Sequence, residues 1–213
     1  MDFSVIITAG GTSSRYGNKN KLLETINGKT IIEYTVEQFL DFEEIIVCAN
    51  ESIIPEIKKF LPDKIKIIKG GETRQASVYN GLQECTGDYV LIHDGARPLI
   101  SKDVIKKTME EVKNKNALTV AVKTVDTIKK ADKTGKIIST IDRSDLYNIQ
   151  TPQAFKTTLI KEAHEKLKGK SFTDDAGMLE HLGFDVYVIE GEYKNIKLTT
   201  TYDLNYIKTF IED

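Results

Sequence analysis

Short apolar, β-branched runs alternate with helix-periodic segments over residues 1–122, Gly-rich turns follow two of those runs, and the alternation breaks near residue 123. Together these predict an α/β fold: a doubly wound, mostly parallel Rossmann-like sheet with a projecting β-hairpin arm.

The first strand covers residues 5–7, Val5-Ile6-Ile7, a β-branched run of the kind buried on both faces of a parallel sheet. It enters Thr8-Ala9-Gly10-Gly11-Thr12-Ser13-Ser14-Arg15-Tyr16-Gly17, with Lys19 and Lys21 close behind. Small side chains there leave backbone N–H groups free to face an anion, and the cations add mobile positive charge. Two familiar phosphate loops are excluded. The glycines at 10, 11 and 17 miss the G-x-G-x-x-G spacing, and Leu23 stands where a triphosphate loop ending in Gly28-Lys29-Thr30 needs Gly.

Asn27-Gly28 reads as a tight turn before a helix over 30–40, where Ile31, Tyr34, Thr35 and Gln38-Phe39 keep helical spacing. A strand at 44–49, a short helix near 55–60 and a strand at 65–69 follow. Gly70-Gly71-Glu72-Thr73-Arg74 opens a helix through Ala76, Tyr79-Asn80 and Leu82. The fourth strand, 89–93, runs into Asp94-Gly95-Ala96-Arg97-Pro98. Ser101 is the expected N-cap of a helix to about residue 114, with Asp103 in its first turn, and 118–122 is the fifth strand.

Residues 123–150 hold two short runs, Val125-Asp126-Thr127-Ile128-Lys129 and 137–141, around the turn Asp132-Lys133-Thr134-Gly135-Lys136. That pattern is a hairpin with no intervening helix, an arm of the sort that packs on a second subunit. Helices at about 157–168 and 174–182, the second capped by Thr173, a strand at 186–190 and a helix from about 202 complete the chain. With no repeat or linker, residues 1–213 read as one domain whose arm spans about 123–146.

The chain has 30 Lys and Arg against 32 Asp and Glu, a formal charge of −2. A nucleic-acid binder working by bulk charge is excluded, so any anion site must be a local cluster of cations. No apolar run approaches the roughly 20 residues of a membrane span. The first strand begins so near Met1 that no signal peptide is expected. Cys48 and Cys85 are isolated and lack metal spacing, so they read as reduced core thiols of a cytoplasmic protein.

In doubly wound sheets ligands bind beyond the carboxyl ends of the strands, where the opening loop, 70–74 and 94–98 all fall. Asp94, at such an end, is where Mg²⁺ or a substrate hydroxyl would be held; the plainer alternative is a cap on the turn into Arg97-Pro98. His93 reads as a strand residue with structural hydrogen bonds, not a general base. His164 and His181 lie on helices without a ligand-like partner, so a zinc-type site is not expected. Arg143 closes the hairpin region, Thr151-Pro152-Gln153 follows the next extended run, and Lys197 lies in an extended, polar-flanked segment.

Over essentially its whole length the chain resembles the 2-C-methyl-D-erythritol 4-phosphate cytidylyltransferases of the non-mevalonate isoprenoid pathway. The resemblance is carried by 8–17 with Lys21, Gly71 to Val78, His93-Asp94-Gly95-Ala96-Arg97-Pro98, 125–129, Asp142-Arg143, Thr151-Pro152-Gln153, Thr173-Asp174-Asp175-Ala176 and Asn195-Ile196-Lys197. It implies a nucleotidyltransferase fold, CTP and a polyol phosphate as substrates, Mg²⁺ or another divalent cation as cofactor, and a homodimer joined through the arm. It assigns catalysis to Arg15, Lys21, Arg143 and Lys197. The nucleotide would be held by Ala9, Gly10, Gly11, Thr12, Ser13, Gly71, Arg74, Ser77, Asp94 and Gly95, and the polyol phosphate by Asp94, Arg143, Thr151, Thr173 and Lys197. Two features depart from the family pattern: Ser13 replaces a usual Gly, and one residue fewer separates Arg15 from Lys21.

Two alternatives remain open from the residues. A ribitol-5-phosphate cytidylyltransferase shares the chemistry, and Ala9-Gly10-Gly11 and Gly191-Glu192-Tyr193 lean that way, while 173–176, 71–78 and 121–129 lean to the erythritol enzyme. A nucleotide-binding module that lost turnover is the second; the joint presence of Arg15, Lys21, Asp94, Arg143 and Lys197 argues against it.

Overall fold

The computed structural model describes residues 2–11, 16 and 20–211. In chain order, β1 (Phe3–Ala9) is followed by a two-residue hairpin, β2 (Thr25–Ile26) and β3 (Lys29–Thr30), then α1 (Ile31–Glu37), β4 (Glu44–Ala49), α2 (Ile54–Ile57) and β5 (Lys66–Lys69). Next come α3 (Arg74–Glu84), β6 (Tyr89–Asp94), α4 (Lys102–Lys115) and β7 (Ala117–Lys123). The arm strands β8 (Ile128–Ala131) and β9 (Ile137–Ile141) precede β10 (Tyr147–Lys156), α5 (Thr157–Lys166), α6 (Ala176–His181), β11 (Tyr187–Glu190) and α7 (Thr201–Ile211).

Seven strands form one sheet in the order β11-β7-β10-β6-β1-β4-β5. β1 lies at its heart, parallel to β4 and β6, with Thr8 opposite Asp94. Strand periodicity sends Val5, Ile7 and Ala9 into one apolar layer with α1 and α4, and Ile6 into the other with Val78 and Leu82 of α3 and Ile160 of α5. All four β1 residues are essentially inaccessible. At roughly 1.5–3 kcal/mol for each large side chain, such two-sided burial is what fixes β1 as the central strand.

The expected parallel sheet is confirmed with one difference. β10 inserts between β6 and β7, antiparallel to both, where the sequence had shown only an extended run. The turn at Asn27-Gly28 is as expected, with both residues at positive φ (48° and 82°), the geometry of a tight hairpin turn. Thr30 then caps α1 in a capping box with Glu33, and Ser101 caps α4 as expected.

Thr173 does not cap the following helix. α6 starts at Ala176 after Asp175, and the N–H of Gly177 is taken by Asp174 Oδ1 at 3.1 Å. β8 and β9 form their own two-stranded sheet, apart from the main one, with Val125, Ile137 and Ile138 each about 60% exposed. Cys48 and Cys85 are free and buried, and burial pushes both thiols up to about 12. No helix among the described residues is long and apolar enough to cross a membrane.

Candidate functional site

A cavity of about 320 Å³ opens where β1 and β6 end beside the first turn of α3. Ala9, Gly10 and Gly11 form one wall, Arg74 and Ser77 another, and Lys21, Asp94 and Lys197 complete the charged part. Gly10 is required by space: a Cβ there would stand 2.7 Å from Ser77 Oγ. That hydroxyl closes the second Gly-rich turn, accepting from the N–H of Gly71 at 3.0 Å and donating to the carbonyl of Thr73 at 2.9 Å. Thr73 caps α3 by accepting from the N–H of Ala76, so helix and turn form one rigid wall.

Asp94 is the electrostatic centre. Arg74 Nε reaches its Oδ1 at 3.1 Å, while Lys197 Nζ and Arg97 Nε reach its Oδ2 at 2.9 and 3.4 Å. Burial works against the charge of Asp94, yet Arg74, Lys197 and Arg97 outweigh it and hold the carboxyl well below the usual carboxylate range. Arg74 is braced from behind as well, NH1 donating to Oδ2 of Asp175 at 2.7 Å. Although its burial opposes the charge, the carboxylates of Asp175 and Asp94 keep Arg74 firmly protonated. Asp175 is in turn pinned to β10, its N–H donating to Gln153 Oε1 at 3.0 Å.

His93 has the structural role expected of it. Its Nε2 faces the carbonyl of Arg97 at 3.1 Å, which can only accept, so that nitrogen carries the proton. Nδ1 therefore accepts from the Thr151 hydroxyl at 3.0 Å, and the Thr151 oxygen accepts from the N–H of Asp94 at 3.1 Å. Burial lowers the His93 pKa to about 4, so the ring is neutral at pH 7. His164 Nε2 lies 3.8 Å from Oδ1 of buried Asp175, too far for a hydrogen bond.

Lys21 enters the site from the opposite side, Nζ donating to the carbonyl of Leu198 at 2.6 Å. Other sequence candidates are not on the cavity wall. Gly71 donates its N–H to Ser77 Oγ, and Gly95 is buried, its N–H donating to the Thr8 carbonyl and its own carbonyl accepting from the Thr35 hydroxyl. The Thr151 hydroxyl is spent on His93 and Asp94. Thr173 is exposed ahead of α6. Arg143 lies exposed at the base of the arm, donating to the Val125 carbonyl. Thr12, Ser13 and Arg15 lie outside the described residues.

The sequence did not single out Asp175, Gln153 or Asn195 as parts of the site. Their common signal is polarity in otherwise apolar or loop segments, which acquires meaning only when β10 is placed between β6 and β7. No cluster of three or more His, Cys, Asp or Glu able to hold a metal occurs among the described residues. Asp94, the metal candidate, has both oxygens engaged by cations, so this arrangement does not fit a metal held by the protein alone.

The sequence profile of the family "2-C-methyl-D-erythritol 4-phosphate cytidylyltransferase" (IspD) matches residues 3–213. Proteins of that name from Caldanaerobacter subterraneus subsp. tengcongensis and Dictyoglomus thermophilum are 41% and 45% identical. The first match covers 99% of both chains, the second 93% of this chain and 92% of the relative. The crystal structure of 4-diphosphocytidyl-2C-methyl-D-erythritol synthase from Anaerococcus prevotii superposes with a TM-score of 0.87 at 31% identity, covering 100% of this chain and 99% of that one. The 2-C-methyl-D-erythritol 4-phosphate cytidylyltransferase of Thermus thermophilus gives 0.86 at 29% identity, with full coverage of both. A profile match over nearly the whole chain, joined to this fold and this cationic cavity, makes the chain a member of the 2-C-methyl-D-erythritol 4-phosphate cytidylyltransferase family.

Proposed function

We propose that the chain transfers a cytidylyl group from CTP to 2-C-methyl-D-erythritol 4-phosphate, giving 4-diphosphocytidyl-2-C-methyl-D-erythritol and pyrophosphate in isoprenoid precursor synthesis. The observation that carries this reading is the meeting of Arg74, Lys21 and Lys197 around one cavity that Gly10 and Gly11 keep open to backbone approach. The family's name supplies the substrates.

The nucleophile is a phosphate monoester with a second pKa near 6, so it is largely dianionic at pH 7 and needs no general base. The neutral, fully engaged His93 accords with that. The difficulty is bringing two polyanions together, since two unit charges 4 Å apart repel by about 4 kcal/mol at an effective dielectric near 20. Arg15 and Lys21 are assigned to the α-phosphate, where charge builds in the transition state. Lys197 and Asp94 are assigned to the polyol phosphate, and residues 9–13 with Arg74 and Ser77 to the nucleotide. Thr173 is assigned to the polyol side. Mg²⁺ or another divalent cation would shield the triphosphate, whose own oxygens can supply the ligands the protein lacks.

The chain is read as one domain, residues 1–213, working as a homodimer through the arm at about 123–146. The free two-stranded sheet with its exposed Val125, Ile137 and Ile138 supports this, and Arg143 beside it would serve the second protomer's site. Pyrophosphate release, measured with CTP and either methylerythritol phosphate or ribitol 5-phosphate, tests the assignment. Turnover with ribitol 5-phosphate alone would refute it, and CTP binding without any release would make the chain a binding module.

A further inference from the structure

Four buried residues from three separate segments are joined head to tail. His93 Nε2–H donates to the Arg97 carbonyl (3.1 Å), Arg97 NH1 to the Asn195 carbonyl (2.7 Å), Asn195 Nδ2 to the Thr151 carbonyl (2.9 Å), and the Thr151 hydroxyl to His93 Nδ1 (3.0 Å). Three of the acceptors are backbone carbonyls, which cannot donate; they fix the amide orientation and the imidazole tautomer, and that tautomer makes Nδ1 the acceptor of the fourth bond. Asn195 donates again to Gln150 Oε1 at 3.2 Å, and the Gln150 amide is itself oriented by giving Nε2–H to the Glu192 carbonyl at 2.9 Å.

The ring is tied to the site's polar centre. Asp94 gives its N–H to the Thr151 oxygen, and its Oδ2 faces Arg97 Nε. Lys197, two residues beyond Asn195, reaches the same Oδ2. The segment between β11 and α7 that carries Lys197 has no regular structure of its own, so its place depends on such ties. Asn195 is fully buried and makes more of these ties with its side chain than any neighbour in the segment.

We infer that Asn195 is a positioning residue for the polyol-phosphate half of the site: it never meets substrate, but anchors Lys197 on the β10 strand in register with Asp94. This rests on the proposed assignment of Lys197 to the polyol phosphate. The nucleotide wall, built from β1, the Gly70–Arg74 turn and α3, shares none of Asn195's bonds. Asn195→Ala removes two donors and leaves two buried oxygens unpaired; Asn195→Asp keeps the shape while removing the same donors.

The test is steady-state kinetics of both variants, with Lys197→Ala as reference and CTP affinity measured separately. Expected is a rise of about tenfold in KM for 2-C-methyl-D-erythritol 4-phosphate, the kinetic equivalent of about 1.4 kcal/mol, with CTP affinity unchanged. Unchanged KM in the Asn195 variants while Lys197→Ala raises it would overturn the inference and leave the assignment of Lys197 standing. Unchanged KM in Lys197→Ala would remove that assignment itself. Loss of CTP binding in parallel, or failure of both Asn195 variants to fold, would show a general structural role and overturn the inference too.

Discussion

Lys197 Nζ stands 2.9 Å from Asp94 Oδ2, an ion pair between the last polar loop and the end of β6. Arg74 and Arg97 share the same carboxylate, so three cations meet at Asp94; Arg74 also pairs with Asp175, which leaves three cations against two carboxylates.

That excess makes Lys197 replaceable for folding. Without it Asp94 keeps both guanidinium partners, so its buried carboxylate is not left unpaired. Lys197→Ala is therefore expected to melt within a few degrees of the parent, to retain CTP affinity, and to need at least about tenfold more polyol phosphate for half-saturation. Calorimetry with CTP and initial rates against polyol phosphate measure the two sides independently. A fall in CTP affinity would put Lys197 on the nucleotide side.

Arg15 stands four residues after Gly11 in the sequence, and its proposed task is confined to the transition state. Arg15→Ala should unfold like the parent and bind CTP, with kcat lower by on the order of 10²-fold or more. Single-turnover pyrophosphate release is the measurement. A rate within a few-fold of the parent would remove Arg15 from the mechanism.

Particular residues explain what was legible beforehand. Val5-Ile6-Ile7 announces β1 because a strand buried on both faces needs no alternation, and Ser101 announces α4 because its cap is local. β10 was hidden by Pro152, which ordinarily argues against a central strand. The structure accommodates it where the β7–β10 register shifts between Ile149 and Gln153. Thr173 misled because a Thr before two Asp looks like a cap, whereas Gln153 takes the N–H groups of Asp175 and Ala176 from across the sheet. The cavity glycines, Arg74 and Asp94 stood in turns at strand ends, whereas the role of Lys197 came only from the family resemblance. The Arg74–Asp175 pair and the Asn195 ring were not legible, being products of strand order.

His93 gives the pH dependence a definite sign. Its pKa is lowered from about 6.5 in the unfolded chain to about 4 by burial. Above the unfolded value neither state is protonated and stability is full. As the pH falls from about 6.5 toward 4, the unfolded chain gains a proton that the folded one refuses, which costs about 3 kcal/mol in all. Denaturant unfolding at a series of pH values should show this loss in the parent and a shallower slope in His93→Gln, whatever the variant's absolute stability. Equal slopes would place the acid sensitivity elsewhere.

Arg143 tests the arm and the dimer together. It is exposed beside Val125 at the foot of the β8–β9 sheet, away from its own chain's cavity wall. If it serves the partner's site, Arg143→Ala and Lys197→Ala each lose most of their activity at subsaturating polyol phosphate but complement one another when mixed. In a mixed dimer the chain lacking Arg143 keeps Lys197 and receives the other chain's Arg143, so one of its two sites is whole. Random reassociation of equal amounts makes half the dimers mixed, and the expected recovery is about a quarter of parental activity. Were Arg143 to act within its own chain, both sites of the mixed dimer would lack one cation and mixing would restore nothing. Rates before and after denaturation and joint refolding of the two variants distinguish these outcomes, with sedimentation confirming that dimers form.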